Sequence, residues 1–325
     1  MIKWGFIGCG AVTEKKSGPA FEKVVGSDVV AVMRRDADKA KDYAFRHKID
    51  RWYTDAMELI NDQNVNAVYV ATPPGSHAEY AIAAMKAGKP VYIEKPMAAS
   101  YEECLKISQV SKDTGIPCFV AYYRRTLPYF LKVKQIIDDG LLGKLSSVQI
   151  QFSIPPYESD YDKENIPWRL KQEISGAGYF YDLASHQLDL LDFILGEISE
   201  AYGVSENCGD LYEVEDSVSA AFRFKSGLPG SGSWSFVAPK NNRTDKIYLV
   251  GTKGKLTFST FNFSPIIFET STSAEEFFEN NPENIQFYLI QSIVNYLNGQ
   301  GEMPVSTSTT AIKTNFIMDK ILRKI

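Results

Sequence analysis

The sequence predicts a two-part α/β protein, a doubly wound parallel sheet followed by an α/β part built on an antiparallel sheet. Three observations carry this expectation. Up to about residue 121, short apolar runs alternate with amphipathic helical stretches. After residue 122, strands follow one another through short glycine-containing turns. A chain of 325 residues is also long enough for two domains of about 150 residues each. The division is placed at 1–122 and 123–325, with the last helices able to pack back on the first domain.

In the first part the strands are expected at Trp4–Ile7, Val29–Met33, Ala67–Val70, Val91–Ile93 and Cys118–Ala121. Helices are expected at Ala11–Val25, Ala37–His47, Ala56–Ile60, Ala78–Ala87 and Tyr101–Thr114. The runs are short and rich in β-branched residues, as strands buried between two helical layers must be, and strand–helix–strand units of this kind are right-handed. Two helix starts fit a capping box, Ser76-His-Ala-Glu79 and Ser100-Tyr-Glu-Glu103, in which a hydroxyl and a carboxylate satisfy N–H groups left open by the first turn.

The second part opens with a helix near Tyr129–Asp139 and a long alternating strand, Leu145–Ile154. A loop rich in Pro, Tyr, Asp and Glu runs from Pro155 to Ser175, before a strongly helical stretch, Tyr179–Leu195. Strands are expected at Val218–Phe224, Gly230–Phe236, Ile247–Val250 and Lys255–Ser259, with turns such as Lys225-Ser-Gly and Thr252-Lys-Gly-Lys255 between them. Such succession suggests an antiparallel sheet. Helices near Ile285–Leu297 and Thr309–Arg323 close the chain.

Composition excludes several classes. Thirty-five Lys and Arg against forty Asp and Glu leave a net charge of −5, with no positive excess to displace counterions from a nucleic acid. With 44% hydrophobic and 23% charged residues, the chain is globular rather than disordered. Cys9, Cys104, Cys118 and Cys208 form neither a CxxC nor a Cys/His cluster, so neither disulfides nor a metal site are expected, and a reducing cytoplasm fits. No apolar run approaches the ~20 residues that span a bilayer, and the chain enters a strand at once, so neither membrane nor leader is expected.

The chemistry-bearing residues cluster at element ends. Gly8-Cys-Gly10 lies between the first strand and first helix, where glycines allow a tight turn and close approach of backbone to a pyrophosphate at a helix start. The third glycine position is Thr13, a departure expected to loosen helix–strand packing. Glu94-Lys95-Pro96 and the stiff loop Ala71-Thr72-Pro73-Pro74-Gly75-Ser76-His77 leave two further strands at their carboxyl ends, the edge where open α/β sheets bind ligands. A solvated charge pair and a first-turn histidine are the plain structural alternatives. On the helix near 179–195, Asp182 and His186 are spaced i,i+4 and share a face, with Asp189 near the same stripe. A carboxylate one turn from an imidazole can orient it and tune it as a general acid or base, although spacing alone more often yields an exposed polar pair. Trp168-Arg169 can stack on a planar ligand and pair with a phosphate, or only plug a core edge.

Taken together these motifs resemble the family of glucose–fructose oxidoreductase, inositol dehydrogenase and MocA-like proteins. The resemblance runs in order through Gly8-Cys-Gly10-Ala11-Val12, Ala71-Thr-Pro-Pro with His77, Glu94-Lys95-Pro96, Tyr122-Tyr-Arg-Arg125, Trp168-Arg169 and Gly178-x3-Asp182-x3-His186. Its N-terminal spacing and its Trp-Arg pair are most similar to the 1,5-anhydrofructose reductase branch, and Gly176-Ala177-Gly178 replaces the usual glycine triplet. The resemblance implies an N-terminal Rossmann domain, a C-terminal α/β domain with a large open, mostly antiparallel sheet, and a homodimer or homotetramer formed through that sheet. It implies catalysis by Lys95, Asp182 and His186. The cofactor would be held by Gly8, Cys9, Gly10, Ala11, Val12, Arg34, Arg35, Thr72, Pro73, Pro74, His77, Glu94, Lys95, Trp168, Arg169 and Tyr288. Substrate would meet Lys95, Asp182 and His186. From the residues themselves, the loop Pro155–Arg169 with Tyr157, Asp160, Tyr161 and Asp162 is expected on the sugar side, since polyol recognition needs many hydrogen-bonding groups and aromatic faces. Tyr123 and Arg124 at the domain junction are further candidates.

The function expected is hydride transfer between a nicotinamide dinucleotide and a secondary alcohol or ketone of a sugar, cyclitol or related polyol. A cofactor-binding sensor without turnover, or hydrolysis through a transient redox step, are the alternatives. The residue ending the second strand reads the adenosine ribose, and Arg34-Arg35 there suits the 2′-phosphate of NADP. Asp36 keeps NAD open, should the turn be longer.

Overall fold

The computed structural model describes residues 1–325 and resolves them into two units, Met1–Thr126 with Pro282–Ile312, and Leu127–Asn281 with Lys313–Ile325. In the first unit six parallel strands are β1 (Ile2–Ile7), β2 (Ser27–Met33), β3 (Arg51–Tyr53), β4 (Ala67–Val70), β5 (Val91–Ile93) and β6 (Cys118–Val120). Their order is β3-β2-β1-β4-β5-β6. That is the doubly wound Rossmann order, whose direction reverses between β1 and β4 and opens a crevice at their carboxyl ends. The helices between them are α1 (Ala11–Lys15), α2 (Gly18–Lys23), α3 (Ala37–Arg46), α4 (Ala56–Asn61), α5 (His77–Lys86) and α6 (Tyr101–Thr114).

Strand alternation gives the sheet two different faces. Ile7, Val68, Val70, Ile93 and Val120 pack with Leu59, Met85 and Ile107 in one aliphatic core. Trp4, Phe6, Tyr69 and Tyr92 meet Phe21 of α2 on the other, with ring centroids 4.8–6.2 Å apart.

The single helix expected at Ala11–Val25 is two. A side chain on Gly18 would meet the Thr13 carbonyl at 2.0 Å, and Pro19 brings no N–H, so the chain breaks and restarts with proline in the first turn of α2. The capping box expected at Ser76 is also absent. Its hydroxyl instead donates to Thr72 Oγ1 and the Pro73 carbonyl, because the 3₁₀ turn Pro74–Ser76 precedes α5. At Ser100 the box forms in modified register: Ser100 Oγ accepts from the Glu103 N–H, and Glu103 reaches back to the N–H of Ala99. Strand β3 escaped the sequence reading because its residues are half exposed at the sheet edge.

The second unit begins with α7 (Pro128–Asp138) and β7 (Leu145–Ser153). The long loop holds 3₁₀ turns at Glu158–Tyr161 and Trp168–Leu170 and the short α8 (Gln172–Ser175). The helix expected at Tyr179–Leu195 is a π turn, Phe180–Ala184, running into α9 (Ser185–Leu195). Then come β8 (Ile198–Glu206), β9 (Ser217–Phe224), β10 (Pro229–Ser235), β11 (Thr244–Gly251), β12 (Lys255–Phe258), β13 (Ile266–Glu269) and β14 (Ala274–Phe277).

These strands form one sheet in the order β14-β13-β12-β11-β7-β10-β9-β8. Every pair is antiparallel except β7 with β10, which the chain reaches only after α9, β8 and β9. Val148, Ile150, Phe152, Phe222, Trp234, Ile247 and Leu249 are buried on one face. Trp234 Nε1 donates to Gln187 Oε1 of α9 at 2.6 Å, tying the sheet to the helix that carries His186. Strands β8, β13 and β14 were not expected: their runs are short or broken by charge, and β14 is an acidic edge.

The chain then returns to the first unit, where α10 (Phe287–Leu297) packs on α2. Helix α11 (Ser308–Ile321) begins in the first unit, and Lys313–Ile325 belong to the second.

Candidate active site

In the first unit the expected cofactor residues other than Tyr288 follow the carboxyl ends of β1, β2, β4 and β5. Gly8 has φ +94, and a Cβ there would fall 2.8–2.9 Å from Thr72 and the Ala71 carbonyl carbon, so only glycine fits this turn. At Gly10 an added Cβ meets nothing within 4 Å, which leaves open space on that side. Thr13 does not loosen the turn: its hydroxyl, fully buried, accepts from the Gly10 N–H and donates to the Gly10 carbonyl, both at 2.9 Å. Tyr43 of α3 donates to the Thr13 carbonyl. Cys9 is buried, and burial holds its thiol up near pKa 11, so it is not a reactive thiolate.

Arg34 follows β2 directly and donates to the Cys9 carbonyl at 3.0 Å, while Arg35 is exposed. Asp36 is the N-cap of α3, accepting from the Lys39 N–H and pairing with the Lys39 ammonium at 2.8 Å, which lowers its pKa. His77 is wholly buried. Nδ1 lies 3.0 Å from the Pro96 carbonyl and Nε2 2.7 Å from the Thr72 carbonyl, so its ring clamps the β4 exit loop to the Lys95-Pro96 turn.

Glu94 ends β5 with its carboxylate buried. It accepts from Tyr69 OH at 2.6 Å, from Gln286 Nε2 at 2.7 Å, and from the Lys95 N–H. Tyr92 OH in turn donates to Gln286 Oε1, which fixes the amide's orientation. A carboxylate so bound holds the turn on which half-buried Lys95 stands. Tyr69 and Gln286 were not anticipated. Tyr69 reads as a strand aromatic, and Gln286 lies 192 residues from its partner. Tyr123 and Arg124 are buried in the 3₁₀ turn that ends the first stretch of this unit, guanidinium over ring at 5.1 Å, and Tyr288 is exposed at the start of α10.

In the second unit Asp182 stands in the π turn and His186 in the first turn of α9, buried, with its ring edge-on to Phe261. Arg169 Nε donates to Asp182 Oδ2 at 3.0 Å and stacks its guanidinium 4.4 Å over Trp168, a pairing that sequence spacing did not reveal. Asp189 is buried and accepts from Thr314 of α11. Tyr157 is 45% exposed and packs on Tyr179. Asp160, by contrast, is fully buried, accepting from Tyr179 OH and the Tyr157 N–H, and Asp162 caps its own turn at Glu164 and Asn165. Both carboxylates are engaged by the loop's own fold. Lys95 is thus carried by the first unit, and Asp182 and His186 by the second. A cleft of about 230 Å³ lined by Phe6, Glu22, Asp28, Tyr43 and His47 opens at the amino end of β2, away from these strand ends, and holds none of the expected site residues.

The family model described as an oxidoreductase family with an NAD-binding Rossmann fold matches residues 2–122, and the GFO/IDH/MocA C-terminal domain matches residues 130–257. The chain belongs to the Gfo/Idh/MocA family. Oxidoreductase P35 of Formosa agariphila is 39% identical to this family member over 318 residues, 98% of this chain and 97% of that one. The 1,5-anhydro-D-fructose reductase of Ensifer adhaerens is 29% identical over 232 residues, 70% and 67% of the two chains. Levoglucosan dehydrogenase in complex with NADH shares the fold, with TM-score 0.87 at 23% identity over 99% of this chain and 96% of that one. This Gfo/Idh/MocA protein is an NAD-binding oxidoreductase. Its Gly8 turn, which a Cβ would fill, and the open side of Gly10 fit a dinucleotide laid across the β1–β4 switch point. No helix is long and apolar enough to cross a membrane.

Proposed function

We propose that this oxidoreductase transfers hydride between a nicotinamide dinucleotide and a secondary alcohol or ketone carbon of a sugar, cyclitol or related polyol. The observation that carries the reading is the fixed Glu94–Lys95 turn at the end of β5, one strand from the switch point. It sets a cation beside the place where the dinucleotide fits. Relatives named as anhydrofructose reductase, levoglucosan dehydrogenase and scyllo-inositol dehydrogenase support the substrate class.

When bound, the nicotinamide would accept or supply the hydride. In the oxidative direction the hydroxyl proton leaves as the hydride does, and His186 would take it, with Asp182 orienting the ring and sharing the relay. Lys95 would stabilise the alkoxide as its charge develops. Arg169 pairs with the Asp182 carboxylate and stacks on Trp168, so this loop pair supports the relay as well as the expected cofactor contact. Turnover on a panel of polyols and keto-sugars, followed at the nicotinamide band, tests the assignment. Lys95→Ala and His186→Ala are expected to lose about 10²–10⁴-fold in kcat; near wild-type turnover in both would sink it.

NADP is the cofactor this reading favours. Arg34 and Arg35 follow β2, and the carboxylate next in the chain, Asp36, is engaged as a helix cap by Lys39. Comparing kcat/KM for both cofactors in wild type and in Arg34→Asp/Arg35→Ser decides it. Preference for NAD in the wild type, or no shift in the double variant, would contradict it.

A further inference from the structure

Asp182 is carried by a π turn, and such a turn adds a residue to the helical repeat, so it persists only where its surroundings hold it against relaxing to an ordinary helix. Its approach is already constrained: Gly178 has φ +57, and a Cβ there would meet Val214 Cγ2 at 2.6 Å. The remaining grip comes from far along the sequence. Lys324 Nζ donates to the Gly176 carbonyl at 2.7 Å, two residues before Gly178. The same ammonium lies 4.9 Å over the ring of Tyr181, a fully buried residue inside the π turn and adjacent to Asp182. Much of Lys324 faces solvent, but its charged end is turned inward, and burial lowers its pKa against the opposing pull of Asp319 and Glu215. One cation thus fastens the backbone before the turn and an aromatic ring within it.

We propose that Lys324 is a positioning residue that holds the π turn in the register aiming the Asp182 carboxylate. This rests on the reading of Asp182 as part of the proton relay. The neighbouring Arg323 provides a control, because its Nε donates to the Gly203 carbonyl of β8 and does not touch the turn.

The test compares Lys324→Met, Lys324→Arg, Arg323→Ala and Asp182→Asn, with steady-state kinetics and a pH profile for each. Lys324→Met is expected to lower kcat about tenfold, since small misplacements of reacting groups cost that much or more. It should leave KM for the cofactor unchanged and move the pH profile of kcat, because a coupled Asp–His pair reports as a unit. Lys324→Arg should restore kcat, and Arg323→Ala should lower the melting temperature but not kcat. In the Asp182→Asn background, Lys324→Met should add no further loss. If Lys324→Met keeps wild-type kcat and pH profile while Asp182→Asn loses activity, the positioning role is overturned and the relay stands. Losses that multiply in the double variant overturn it as well. If Asp182→Asn itself retains activity, the relay reading fails first and takes this proposal with it. Should Lys324→Met fold poorly, Lys324→Gln, too short to keep both contacts, replaces it with the same expected loss and the same overturning result.

Discussion

Two glycines two residues apart carry different duties, and substitution separates them. At Gly8 a side chain is excluded by φ +94 and by backbone 2.9 Å away, so Gly8→Ala is expected to lose both melting temperature and cofactor affinity. At Gly10 an added Cβ meets no protein atom within 4 Å. Gly10→Ala should therefore keep the wild-type melting temperature and lose cofactor affinity alone, about tenfold or more by fluorescence titration, since the new carbon would intrude on the dinucleotide. Equal affinity in Gly10→Ala would show that the cofactor does not approach that turn. His77 offers a residue-scale test of pH. Its two carbonyl neighbours and the Glu94 charge favour the cation, but complete burial outweighs them and lowers its pKa. The unfolded histidine binds its proton near pH 6.5 and the folded one only below that, so this contribution is complete above about 6.5 and is lost as pH falls toward the folded value. Urea unfolding at about pH 7.5 and about pH 5.5 should show a smaller drop in stability for His77→Gln than for wild type; equal drops would assign the slope elsewhere. The glycine turn and Glu94-Lys95 were legible because local spacing carries them. The clamp on His77 and the Tyr69–Glu94–Gln286 chain were not, because their partners come from other elements.

Strands with near-continuous apolar runs were legible at the level of elements, for burial on both faces writes itself into sequence. Breaks and turns were less so. Gly18-Pro19 carried a break signal that the single helix expected at Ala11–Val25 passed over, whereas nothing in Tyr179–Leu195 announces a π turn, since its hydrophobic pattern serves either winding. The helix carrying His186 is pinned to the sheet by Trp234 Nε1 and Gln187 Oε1, both buried. Trp234→Phe should leave that acceptor unsatisfied and cost about 1–3 kcal/mol in denaturant unfolding, with a parallel fall in kcat. An unchanged kcat at reduced stability would mean that α9 keeps His186 in place without this bond. Ser100→Ala, which removes the cap of α6, should cost about 1 kcal/mol with no change in kinetics.

For the whole molecule, assembly involves the outer face of the eight-stranded sheet only if that face is self-complementary. A row across it reads Tyr202, Ala221, Ser231, Gln149, Tyr248, Thr257 and Ile267, residue opposite residue through successive strands. Tyr202 is 73% and Val204 59% exposed on β8. The middle of this face is built of small and amphipathic side chains, charges such as Arg223–Glu200 and Lys255–Glu269 pair across neighbouring strands, and we propose a homo-oligomer formed through it. Light scattering should show an oligomer that Tyr202→Lys/Val204→Glu converts to monomer; a monomeric wild type at working concentration would refute it.

Direct hydride transfer between a polyol carbon and the nicotinamide, with Lys95, Asp182 and His186 managing the proton, is the central proposal for this chain. The most direct test supplies a turned-over polyol deuterated at its carbinol carbon and follows the label by mass spectrometry in wild type and in Lys95→Ala. The deuterium should be recovered on the reduced nicotinamide at a rate that Lys95→Ala lowers by about 10²-fold or more. Label released to solvent, or transfer at the wild-type rate in the variant, would contradict it.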